Sequence, residues 1–199
     1  SEANIDPNGN VVTGSVLTCS AVANDLDDGD VIPTYEWSVG STVLTDTPSY
    51  TVSSDDTNIG DVLTCTATAT DSDDVAATSQ ATVTVENTAP TLSNTAISGG
   101  SYNTDTLSCS SLVYDPDESV SVTYSWSLNG SHVSDGEFLD LNTTNAQPQS
   151  VVLCEASVSD SQGGSASDSA SLTLLNRSPD APSISISPSE PTAGQDDLV

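Results

Sequence analysis

The sequence predicts an all-β protein, a tandem array of β-sandwiches each closed by one disulfide. The chain repeats itself at a period near 90 residues. Each repeat carries a cysteine, a tryptophan and a second cysteine at matched spacing. Between them run short segments that alternate small polar with apolar or β-branched residues, the pattern of a half-buried strand.

The repeat is legible residue by residue. Thr34-Tyr35-Glu36-Trp37-Ser38 reads against Thr123-Tyr124-Ser125-Trp126-Ser127, and Val62-Leu63-Thr64-Cys65 against Val151-Val152-Leu153-Cys154. Asn87-Thr88-Ala89-Pro90 returns as Asn176-Arg177-Ser178-Pro179. The expected units are 1–87, 88–176 and the start of a third copy at 177–199. Asp196-Asp197-Leu198-Val199 aligns there with the residues before Cys109, as a window on a longer array would. Strands are expected over 64–70, 81–85, 120–124 and 167–175. Turns fall at Asp28-Gly29-Asp30, Asn129-Gly130 and Gly163-Gly164. About seven short strands per unit, with no sustained helical period, make a sandwich.

Four cysteines allow three pairings. Cys19–Cys65 and Cys109–Cys154 each stay within one repeat and are the expected bonds. Zinc is not expected, because CxxC pairs are absent and His132 is the sole histidine, read as a surface residue. Units of about 90 residues with 4% aromatics bury modest cores, so a disulfide matters to them. Persistent disulfides place a protein outside the cytosol.

Charge excludes several functions. One Lys or Arg against 29 acidic residues gives a net charge of −28. Phosphate backbones and anionic membrane surfaces both require basic residues, so neither is an expected partner. No apolar run reaches the length of a membrane helix, so no membrane insertion is expected in this segment. The first residues carry neither the basic nor the apolar region of a signal peptide. No nucleophile–base set stands out, and the chain is read as non-enzymatic.

Trp37 falls 18 residues after Cys19 and 28 before Cys65; in the second repeat the gaps are 17 and 28. This spacing resembles the immunoglobulin pattern, in which strands B and F carry the disulfide and a strand C tryptophan packs on it. The resemblance implies that role for Trp37 and Trp126. Leu63 and Val152 stand where antibody domains carry a tyrosine, so the resemblance is to the architecture. The Asn-Thr-Ala-Pro-Thr linker, Tyr114-Asp115-Pro116-Asp117 and Tyr-x-Trp followed by Asn-Gly look like the tandem immunoglobulin-like or cadherin-like repeats of large prokaryotic cell-surface proteins. That resemblance implies an exported stalk, adhesin or surface fibre.

On this reading, Asp25, Asp27, Asp28 and Asp30 lie in the first B–C loop and Asp71, Asp73 and Asp74 in the first F–G loop. Asp115, Asp117, Glu118 and Asp160 take the same places in repeat two, where the linker with Glu86 arrives. Six to eight oxygens of this kind suit Ca2+. The alternative is a set of solvated turn carboxylates with no bound ion. Asn129, Asn142 and Asn176 fit N-glycan acceptors. Three roles stay open. The chain can be a structural stalk or fibre whose partners are its own neighbouring repeats, stiffened at the joints by calcium. It can be an adhesin reading a glycan or protein with its loops. Its edge strands can also pair laterally into a filament.

Overall fold

The computed structural model describes residues 2–185 together with 187, 193 and 194. Within the described residues the chain is all-β, with one short 3-10 turn at Leu141–Thr143 and no helix long and apolar enough to cross a membrane. The first sandwich contains β1 (Asn4–Asp6), β2 (Val16–Ser20), β3 (Ala23–Asp25), β4 (Gly29–Val31), β5 (Thr34–Val39), β6 (Thr42–Thr45), β7 (Ser49–Thr51), β8 (Val62–Thr70) and β9 (Ala76–Thr84). The second contains β10 (Thr91–Gly99), β11 (Thr106–Tyr114), β12 (Thr123–Leu128), β13 (Ser131–Asp135), β14 (Phe138–Asp140), β15 (Val151–Ser159) and β16 (Ser165–Thr173).

Both sandwiches share one plan. A three-stranded sheet, β1-β2-β7 or β10-β11-β14, faces a four-stranded sheet, β6-β5-β8-β9 or β13-β12-β15-β16. Side chains alternate across each strand, so β8 and β15 bury every second residue at their starts. The inner faces meet in two cores. Leu17, Trp37, Leu63 and Val85 lie in the first, and Leu107, Trp126, Val152 and Leu174 in the second. Leu63 and Val152 are fully buried and serve as core residues where a tyrosine was absent.

The disulfides join Cys19 to Cys65 and Cys109 to Cys154, each with Cα atoms 6.4 Å apart. Cys19 and Cys109 sit on the three-stranded sheets, Cys65 and Cys154 on the four-stranded ones, so each bond crosses a core. Trp37 is the register partner of Cys65, and Trp126 of Cys154. Directly opposed residues share a face of the sheet, which puts indole and sulfur side by side. The two indoles differ in their hydrogen bonding. Trp126 Nε1 donates to Gly136 O at 2.9 Å, whereas Trp37 Nε1 is buried without a partner.

Strand boundaries shift from expectation in instructive ways. The expected strand at 120–124 begins only at Thr123, where pairing to Ser157 starts. The segment at 81–85 extends back to Ala76, because β9 pairs along all of β8. At Asn129-Gly130 both residues have positive φ, 51° and 82°, the two-residue hairpin turn that matches strand twist. Asp196 and Asp197 lie outside the described residues.

Candidate functional site at the joint between repeats

The acidic loops fold through their own backbone. Asp25 Oδ1 accepts the Asp27 and Asp28 N–H groups at 2.8 and 3.1 Å. Asp115 Oδ1 does the same for Asp117 and Glu118, at 2.8 and 3.1 Å. These are Asx turns, favoured because a short carboxylate reaches amides two and three residues on. Asp71 Oδ1 takes Asp73 and Val75 N–H at 2.9 and 2.8 Å. Asp160 Oδ1 takes Gln162 and Gly164 N–H at 2.9 and 2.7 Å. The two loops of each repeat then meet. Asp28 accepts from both the N–H and the hydroxyl of Ser72 at 3.0 Å, and Glu118 Oε1 accepts Ser161 N–H at 2.7 Å. Asp30 is held aside by Asn24, 3.0 Å away.

At the joint, two further bonds tie the linker to these loops. Asn87 Nδ2 donates to Asp160 Oδ2 at 2.9 Å, and Thr88 N–H donates to Asp117 Oδ2 at 2.6 Å. Gly164 makes this possible. A Cβ there would strike the Asp160 carboxylate and come within 2.9 Å of Ala89 Cβ. Val75 holds the matching place in repeat one and is 65% exposed. Beside the joint, Thr13, Thr57, Asn58 and Ile59 of the first repeat face Asp117, Glu118 and Gln162 across a polar cleft of about 230 Å³.

Electrostatics follow the bonds. The Asn87 amide holds the Asp160 carboxyl below its ordinary value against the opposing effect of burial, with help from the Gly164, Gln162 and Gly163 amides. The Ser72 N–H and then its hydroxyl lower Asp28.

The loops therefore come together, but most of their carboxylates are turned onto amides. Among the described residues, no three His, Cys, Asp or Glu side chains form a group able to hold a metal ion. Asp27, Asp73, Asp74 and Glu86 are exposed. What remains at the joint is a set of oxygens. Asn87 Oδ1, Thr88 Oγ1, Asp115 Oδ2 and Asp117 Oδ1 are each buried with no hydrogen-bond partner. Asn87 and Thr88 were not among the expected ligands. Their signal was the linker motif, which carries no carboxylate.

The remaining candidates have local roles. Asn129 Oδ1 accepts Val151 N–H at 2.9 Å and its Nδ2 reaches Ser150 Oγ at 3.3 Å. Asn142 Nδ2 donates to Thr104 O at 2.8 Å. Asn176 is exposed. His132 lies on the surface, 2.9 Å from Asp135.

The fold and the joint define a chain of tandem immunoglobulin-like β-sandwiches. No protein-family model and no curated protein matches it. A solved structure of three N-terminal domains of the bacteriophage RB49 Highly Immunogenic Outer Capsid protein (Hoc) aligns at 16% identity and a TM-score of 0.34. The alignment covers 87% of this chain and 58% of that one, so the chain spans under two thirds of its length.

Proposed function

We propose that this chain is a non-enzymatic, extracellular structural module, a spacer in a stalk or fibre whose partners are its own neighbouring repeats. The observation that carries this reading is the pair of linker bonds, Asn87 to Asp160 and Thr88 to Asp117. They tie the chain leaving one sandwich to the loops of the next, where a free linker would let the two tumble apart. Two cross-core disulfides support a location outside the cytosol. The likeness of its motifs to prokaryotic surface repeats supports a place on a cell surface. Residual dipolar couplings measured on β8 and β15 test the reading. A stiff spacer gives one alignment tensor for both sandwiches. Two independent tensors would overturn it.

A second reading has a specific support. Leu26 and Ile32, on and beside the β3–β4 hairpin, are 100% and 90% exposed. Exposed apolar tips on a loop suit an adhesin that grips a ligand there. Loss of glycan or cell binding in Leu26→Asp would favour it.

A further inference from the structure

We propose that Arg177, Tyr102 and Asp105 form a strap that fastens the chain leaving the second sandwich to the β10–β11 hairpin of that same sandwich. Arg177 is the only Lys or Arg in the chain. Its guanidinium lies 4.3 Å from the centroid of the Tyr102 ring and donates through Nη2 to Asp105 Oδ1 at 3.3 Å. The hairpin is shaped to receive it. Tyr102 N–H donates to Asp105 Oδ2 at 2.8 Å, and Asp105 N–H to Tyr102 O at 3.0 Å, so ring and carboxylate are held at the two ends of one turn. A Cβ at Gly100 would strike that carboxylate, and glycine leaves it room. Leu175 N–H donates to Ser101 O at 2.7 Å, which ties the root of the strap to the same hairpin.

The first repeat has the scaffold without the strap. Glu86 N–H donates to Val11 O at 2.6 Å, Val12 N–H to Ser15 Oγ at 3.0 Å and Ser15 N–H to Val12 O at 2.9 Å. Val12, Ser15 and Thr88 therefore stand where the second repeat has Tyr102, Asp105 and Arg177. Ring, acid and base enter together, although acid and base are 72 residues apart in sequence and meet only in the fold. A half-exposed ion pair alone stabilises little. A guanidinium that also covers an aromatic face is held on two sides. The consequence is direction. Thr88 N–H reaches forward to Asp117 of the next sandwich, so the first exit is set from ahead. The Arg177 side chain turns back, so the second exit is set from behind, by charge. This deepens the spacer reading and rests on it for its purpose, since one exit then depends on ionic strength and the other on amide donors.

Amide exchange at Leu175, followed by NMR in the full chain, tests the strap. Arg177→Gln should speed it several-fold. Tyr102→Leu should speed it too, with the ion pair left in place. Arg177→Lys keeps the charge and loses the planar face, and should fall between. Sodium chloride at about 1 M shortens the screening length to about 3 Å. It should speed Leu175 in the unaltered chain and add nothing in Arg177→Gln. Glu86, the matching amide of the first repeat, should keep its rate throughout. Unchanged exchange at Leu175 in Arg177→Gln would overturn the strap, as would an equal rise at Glu86. Dipolar couplings on the same samples separate the two readings. Two tensors with a Leu175 that responds to Arg177→Gln remove the spacer alone, and one tensor with a Leu175 that does not respond removes the strap alone.

Discussion

The side-chain amide of Asn87 donates to Asp160 Oδ2 at 2.9 Å, across a joint where Gly164 leaves room for nothing larger. Linker and F–G loop therefore depend on each other. In Asn87→Ala the two sandwiches should lose their common alignment tensor while each keeps its own melting temperature. Gly164→Ala should do the same, because its methyl has to displace either Ala89 or the Asp160 carboxylate.

The disulfides should be separable in their effects. A bond closing 46 residues stabilises by roughly 4 kcal/mol on the chain-entropy model. Replacing Cys19 and Cys65 with alanine should lower the first calorimetric transition by about that much. The second, which rests on Cys109–Cys154, should stay in place.

Trp37 and Trp126 occupy the same site but are bonded differently. Phenylalanine at 126 leaves Gly136 O without its donor, whereas at 37 no hydrogen bond is lost. Trp126→Phe should therefore cost about 1 kcal/mol more than Trp37→Phe in urea unfolding.

Acid should act in two directions. The Thr95 hydroxyl and N–H, with Ser169 N–H, hold the Asp168 carboxyl below its ordinary 3.8, and Ser72 lowers Asp28. A depressed folded value means stability that is present above the unfolded value and lost as pH falls through the folded one. Below about pH 3.8 the urea midpoint should drop, and less so in Asp168→Asn. Above that, acidification should raise the midpoint, because a chain of net charge −28 repels itself less as it is neutralised.

Much of the fold was legible because it rests on periodicity. Cys19, Trp37 and Cys65 recur at a fixed distance, and their register as neighbours on one inner face follows from strand alternation. The strand at Thr123 was placed three residues early, since its start is decided by pairing with Ser157 and not by its own residues. The acidic loops meet in pairs through the Asp28–Ser72 and Glu118–Ser161 bonds. How each of their oxygens is used was not legible. Asp25, Asp71 and Asp115 spend one oxygen each on nearby amides, a use that a count of carboxylates does not reveal.

The sequence by itself determined the repeat, the tandem sandwiches, the cysteine pairs and the excess of negative charge. Each is a matter of spacing or composition along one chain. Only the tertiary structure decided which oxygens are left without donors at the joint, and that Asn87 and Thr88 are among them. That outcome depends on how linker and loops bury one another, and burial is a property of three dimensions that no local pattern encodes.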